Sequence, residues 1–157
     1  MKSSIGEIIV ETDEERKTYE LGVSLGESAA PGEVYALTGD LGTGKTVFAK
    51  GVAKGLGIKE TVNSPTFTIV QDYEEGRMPF YHFDLYRLGS PEELEEIGYE
   101  DFFYGEGLCL VEWAELFKEI LPDETGVIMI EKDALKGTDY RRITLKGKAA
   151  ERISERL

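Results

Sequence analysis

Eight consecutive residues, Gly39-Asp40-Leu41-Gly42-Thr43-Gly44-Lys45-Thr46, fit the spacing G-x-x-x-x-G-K-[ST]. That spacing suits a polyphosphate. Backbone N–H groups of a glycine-rich turn converge on phosphate oxygens at the positive end of the helix that follows, and a side chain at Gly42 or Gly44 would crowd the cradle. Lys45 reaches the terminal phosphates, the Thr46 hydroxyl binds Mg2+, and Val47 completes the nucleotide-contacting stretch. With glycine near ~7% of residues, the pattern arises by accident in roughly one chain in a few hundred, so its flanks decide. Glu33 to Thr38 reads as a buried strand entering the loop, and Val47 to Leu56 as a helix leaving it. Strand, loop and helix together make a phosphate-binding loop.

Other candidates lie downstream. In Ser64-Pro65-Thr66-Phe67-Thr68 the proline holds Ser64 extended. The stretch is either a polar turn entering a strand or a switch whose threonine senses a γ-phosphate through Mg2+. Asp84 ends an aromatic strand, and a lone acid after an apolar run needs a partner, for which Mg2+ is a candidate. His82, the only histidine, shares a face with Asp84, a setting that suits a structural histidine better than a chemical one. Leu108 to Val111 is apolar and ends in Glu112, the form of a strand that delivers a carboxylate beside the phosphate loop. Glu112 is assigned to the metal with Thr46, and Asp84 to metal-bound or attacking water; the two acids are interchangeable at this level.

The elements that position these groups follow from pattern. Ile5 to Val10 is a short strand, and Thr12 with Glu15 forms a capping box opening a helix. Leu21, Leu25 and Ala29 carry its apolar stripe to the stop at Pro31-Gly32, and Gly57 caps the helix after the loop. Thr68 to Tyr73 and Met78 to Tyr86 form a hairpin around Glu74 to Arg77. Its alternation puts Phe80, His82, Asp84 and Tyr86 on one face and Tyr81, Phe83 and Leu85 on the other. Ser90-Pro91-Glu92-Glu93 opens a second helix, and the six acids between 92 and 101 are a solvated face or a docking surface for a basic partner. Pro122 marks a turn, Thr125 to Ile130 and Tyr140 to Lys146 are strands, and Ala149 to Leu157 is a terminal helix.

Composition narrows the class. A chain of 157 residues, 41% hydrophobic, fits one domain (1–157) with a proper core. Eighteen basic against thirty-one acidic residues give a net charge of −13, which would repel a nucleic-acid backbone. The basic residues cluster only mildly, between Arg141 and Arg156. Any service to nucleic-acid chemistry would therefore pass through a partner that holds the nucleic acid. With no membrane span, no signal-peptide core and one cysteine, Cys109, the chain reads as cytoplasmic with no membrane partner.

Five motifs then fall in one order: GDLGTGKT at 39–46, SPTFT at 64–68, HFDLYRL at 82–88, SPEELEEIG at 90–98 and LVEW at 110–113. Together they closely resemble the bacterial TsaE family, the small ATPase of tRNA threonylcarbamoyladenosine (t6A) biosynthesis. The resemblance implies an α/β fold, a three-layer P-loop NTPase with a mainly parallel central sheet plus antiparallel hairpin strands. It implies ATP with Mg2+, slow hydrolysis, and association with TsaD and TsaB, which transfer the threonylcarbamoyl group to tRNA. Carried over by motif, Lys45 and Thr46 take the phosphate and metal roles, Thr66 the switch-like role, and Asp84 and Glu112 the catalytic acidic roles. Trp113 lies beside the site. Arg87 is either an electrostatic stabiliser of the transferring phosphate or an ion pair with the acidic stretch. The N-K-x-D signature for guanine is absent, since Glu131-Lys132-Asp133 lacks its asparagine and spacing. Two other functions compete with the ATPase: a nucleotide-dependent binding module with incidental hydrolysis, and a small P-loop kinase, for which no arginine-rich lid is evident.

Overall fold

The computed structural model describes residues 6–40, 42–63, 65 and 68–156. Seven strands form one mixed sheet among these residues: β1 (Glu7–Thr12), β2 (Val34–Thr38), β3 (Val70–Tyr73), β4 (Phe80–Asp84), β5 (Leu108–Glu112), β6 (Gly126–Lys132) and β7 (Arg141–Lys146), in the order β1-β7-β6-β2-β5-β4-β3. The four inner strands β6, β2, β5 and β4 run parallel, β7 and β3 run antiparallel to them on either side, and β1 at the edge is antiparallel to β7. The expected parallel centre is present, but half of the six pairings are antiparallel, because β6 and β7 form a second hairpin.

Burial explains which strands are central. All five residues of β5 and the first four of β2 are buried, as strands covered on both faces must be, whereas β1 exposes alternate residues at the edge. Tyr35 and Leu37 point into one core with Leu108, Leu110, Ile128 and Ile130; Val34 and Ala36 point into another with Cys109 and Val111. The first core is closed by α1 (Glu15–Ser28), α2 (Lys45–Leu56) and α5 (Lys148–Ser154). The second is closed by α3 (Pro91–Glu96), α4 (Tyr99–Phe103) and a 3-10 stretch at Ala114–Ile120. The arrangement is three layers.

The helix α2, which follows the glycine-rich loop, is held by an unusually close partner. Gly22 and Gly26 of α1 face Gly51 and Gly55 of α2, and a Cβ on any of the four would come under 3.0 Å from a carbonyl oxygen of the other helix. Four glycines, each four apart on its helix, let the two backbones touch.

Several boundaries shift from those expected. Thr12 is not a helix cap: it ends β1 with its hydroxyl 3.0 Å from that of Thr18, and α1 starts at Glu15 with no side-chain cap. Pairing of Glu11 and Thr12 with Arg142 and Arg141 of β7 claims those residues for the sheet. The acidic stretch is two short helices, broken where Gly98 turns left-handed (φ 71°), and its six acids are exposed, as a solvated face requires. Gly57 does cap α2 (φ 89°), and Glu93 reaches back to the Ser90 N–H at 3.2 Å. Cys109 is buried and donates to the Phe102 carbonyl; burial pushes its thiol up to about 12. Among the described residues no helix is long and apolar enough to cross a membrane.

Candidate functional site

The loop leaves β2 at its carboxyl end, with Thr43 Oγ1 donating to the Asp40 carbonyl at 2.9 Å. Gly42 and Gly44 have φ of 76° and 105°, backbone that a side-chain-bearing residue adopts only under strain. Protein crowding is not the reason for these glycines: a Cβ on Gly44 would meet nothing nearer than Arg141 Nε at 4.0 Å, and one on Gly42 only the flexible end of Lys132 at 3.2 Å. The cradle is open to a ligand. Gly44 is the N-cap of the twelve-residue α2, so the N–H groups and the positive dipole end of its first turn lie at the loop. Lys45 Nζ donates to the Gly39 carbonyl at 2.8 Å and sits 4.2 Å from the centroid of the Trp113 ring. Trp113 is the only non-glycine residue with positive φ among those described, and its ring packs at 4.9 Å from that of Tyr86.

Two carboxylates reach the same place from neighbouring strands. Parallel pairing of β4 and β5 sets Asp84 opposite Glu112, and the alternation of both strands turns them to the face that carries α2. Asp84 is half-buried, its Oδ1 accepting the Tyr86 N–H at 3.0 Å. Burial pushes its carboxyl above the usual aspartate range; the Tyr86 N–H opposes that rise, and the charge of Glu112 adds to it. Glu112 is 4% exposed, and its Oε2 lies 2.6 Å from Nε2 of His82, which is fully buried.

One cavity of about 710 Å³ gathers these groups. Gly42, Gly44, Lys45, Thr46, Asp84 and Glu112 line it, together with Thr68, Arg87, Trp113 and Arg141. The volume suits a nucleotide-sized ligand. The donor set fits a polyanion with a hard cation: loop N–H groups and three cationic side chains for phosphate, and a hydroxyl with two carboxylates for Mg2+. Thr46 and Glu112 are the residues that would hold the ion. Val47 follows in α2 and borders a smaller neighbouring cavity with Glu15 and Arg141. Thr66 and Leu41, both expected at the site, lie outside the described residues. Arg87 lines the cavity and forms no ion pair among the described residues.

Two groups at the site were not evident from motif spacing. Arg141 at the start of β7 donates Nε–H to the Thr43 carbonyl at 2.7 Å, and its Nη1 to the carbonyls of Thr138 and Tyr140 at 2.9 and 2.7 Å. Its signal was the mild basic cluster alone; only pairing of β7 with β6, next to β2, brings it to the loop. The other is the bond between His82 and Glu112, whose residues are 30 apart in sequence.

A family model described as threonylcarbamoyl adenosine biosynthesis protein TsaE matches residues 12–143. The tRNA threonylcarbamoyladenosine biosynthesis protein TsaE of Bacillus subtilis (strain 168) is 52% identical over 116 residues, 74% of this chain and 70% of that protein. The protein of the same name from Treponema pallidum (strain Nichols) is 43% identical over 113 residues, 72% of this chain and 83% of the other. A crystal structure of Bacillus subtilis YdiB superposes with a TM-score of 0.81 at 35% identity, covering 99% of each chain.

Proposed function

The chain belongs to the TsaE family, and from that premise we propose that it binds ATP with Mg2+ in the cavity at the start of α2 and hydrolyses it slowly. Relatives at this identity carry a t6A biosynthesis name, and the proposal extends that role to this chain. One observation supports the reading above others: the glycine loop and the Asp84–Glu112 pair, from three different parts of the sequence, open into a single cavity. The parallel centre of the sheet and the strand-loop-helix order of β2 and α2 support a single P-loop NTPase domain.

The roles follow from position. The N–H groups of the loop and of the α2 terminus receive phosphate oxygens. Lys45 exchanges its bond to Gly39 for a terminal phosphate, and Trp113 limits where the ammonium can go. Arg87 and Arg141 add positive charge at the cavity wall. Bound Mg2+ would neutralise charge on the phosphates. Thr46 and Glu112 would hold it, Asp84 would orient water, and Thr66 retains the proposed γ-phosphate-sensing role. The net charge of −13 supports a division of labour in which TsaD and TsaB hold the tRNA in the cytoplasm and this chain acts on them.

Lys45→Ala and Glu112→Gln test the reading. A hydrogen bond to a charged group is worth about 1.5–3 kcal/mol, so Lys45→Ala should weaken ATP binding roughly 10- to 100-fold in calorimetry and abolish hydrolysis. Glu112→Gln should keep nucleotide binding without Mg2+ and lose turnover. Lys45→Ala with intact hydrolysis and intact multi-turnover tRNA modification would sink the ATPase. Full modification turnover by Glu112→Gln would favour the binding module. Co-purification with the TsaD–TsaB pair should differ among ATP, ADP and no nucleotide.

A further inference from the structure

Resting on the ATP and Mg2+ reading, we propose that His82 is a positioning residue that fixes the Glu112 carboxylate by donating its Nε2–H to Oε2. The two atoms are 2.6 Å apart, and both residues are buried, so water does not compete for the bond. The ring itself is fixed: it stacks on Phe80 at 5.9 Å with planes 15° apart, inside β4. Parallel register pairs His82 with Leu110 and Asp84 with Glu112, so the histidine reaches diagonally, one step back along the same face, to the acid.

The other ring nitrogen, His82 Nδ1, is buried with no partner among the described residues, so the bond to Glu112 is the one polar contact through which the ring acts. With Oε2 held, the carboxylate has one orientation toward the cavity it lines instead of a set of rotamers. Core packing alone does not call for an imidazole here, because Phe80 already supplies the apolar contact on this face.

The test compares His82→Phe, which keeps a stacking ring and removes the donor, with His82→Gln, which returns an N–H near the Nε2 position. ATP affinity is measured by calorimetry with Mg2+ and with chelator, alongside hydrolysis and the Tm of the ligand-free protein. Loss of a partner that orients a metal ligand typically costs 10- to 100-fold in metal affinity or activity. His82→Phe should therefore raise the half-saturating Mg2+ concentration about tenfold or more, with ATP affinity in chelator unchanged within about twofold. His82→Gln should recover most of the loss, and in Glu112→Gln the further change His82→Phe should have no effect on Mg2+ dependence. Wild-type Mg2+ dependence in His82→Phe, with only a lower Tm, would overturn the proposal and leave the ATP reading standing. If His82→Phe does not fold, a His82→Gln protein as impaired toward Mg2+ as Glu112→Gln would overturn it. An ATP affinity of the unmodified chain that is the same with Mg2+ as with chelator would overturn both.

Discussion

The contact between α1 and α2 makes a sharp prediction at Gly51. Replacing it with alanine places a Cβ under 3.0 Å from the Tyr19 carbonyl oxygen and 3.1 Å from Gly22 Cα. Helix propensity alone favours the change by about 1 kcal/mol, since alanine restricts the unfolded chain. Overpacking opposes it, and costs about 1–3 kcal/mol where neighbours can give way. Both neighbours here belong to helix backbone and cannot swing aside as a side chain does. The upper end of that range, about 3 kcal/mol, therefore applies, leaving a net loss of about 2 kcal/mol. For a chain of this length each kcal/mol lowers Tm by about 2–4 °C, so calorimetry should read a fall of about 4–8 °C. Gly6→Ala is the control, because no atom lies within 4 Å of its added Cβ. An unchanged or higher Tm for Gly51→Ala would mean that α1 and α2 separate at no cost, and the glycine contact does not set their spacing.

Two further perturbations read the electrostatics. Burial and the neighbouring Glu112 charge raise the Asp84 carboxyl, so its ionised form costs stability at any pH above its folded value. Asp84→Asn keeps an oxygen for the Tyr86 N–H and should raise the Tm of the ligand-free protein at neutral pH while impairing hydrolysis; a lower Tm would contradict this. Glu33 is the opposite case: burial pushes its carboxyl up, but Arg152 at 2.5 Å, the Ala30 N–H and the Tyr35 hydroxyl together bring it below the ordinary 4.5. That stabilisation is complete above the unfolded value and fades as pH falls through the folded one. Arg152→Met should therefore lower Tm clearly at neutral pH and by progressively less as pH falls through the acid range below 4.5, and a gap that does not shrink on acidification would refute the pairing.

Legibility in the sequence was uneven for physical reasons. The strand β5 was legible because burial on both faces demands a continuous apolar run, and Glu112 stood out as the charge that ends it. The hairpin of β3 and β4 was legible from alternation, which also set His82 and Asp84 on one face. Thr12 misled because a capping box is a local pattern, and pairing with β7 more than 120 residues later took precedence. The four glycines between α1 and α2 are visible in the sequence, but their meaning depends on two helices facing each other.

What the chain's local chemistry determined was the loop: a glycine pattern tied to backbone angles available to few other residues, followed by a lysine and a hydroxyl at the start of a helix. Such information is carried by contiguous residues, and no long-range contact is needed to read it. Which strands lie beside that loop was decided only by the tertiary structure. The sheet order sets β5 and β6 on either side of β2, with β4 one strand further and β7 beyond β6. From that order alone Asp84 and Glu112 meet across a parallel pair, Arg141 reaches the Thr43 carbonyl, and a buried histidine finds its carboxylate. Side-chain partners across a sheet depend on strand neighbours and register, and both are set by how the whole chain packs.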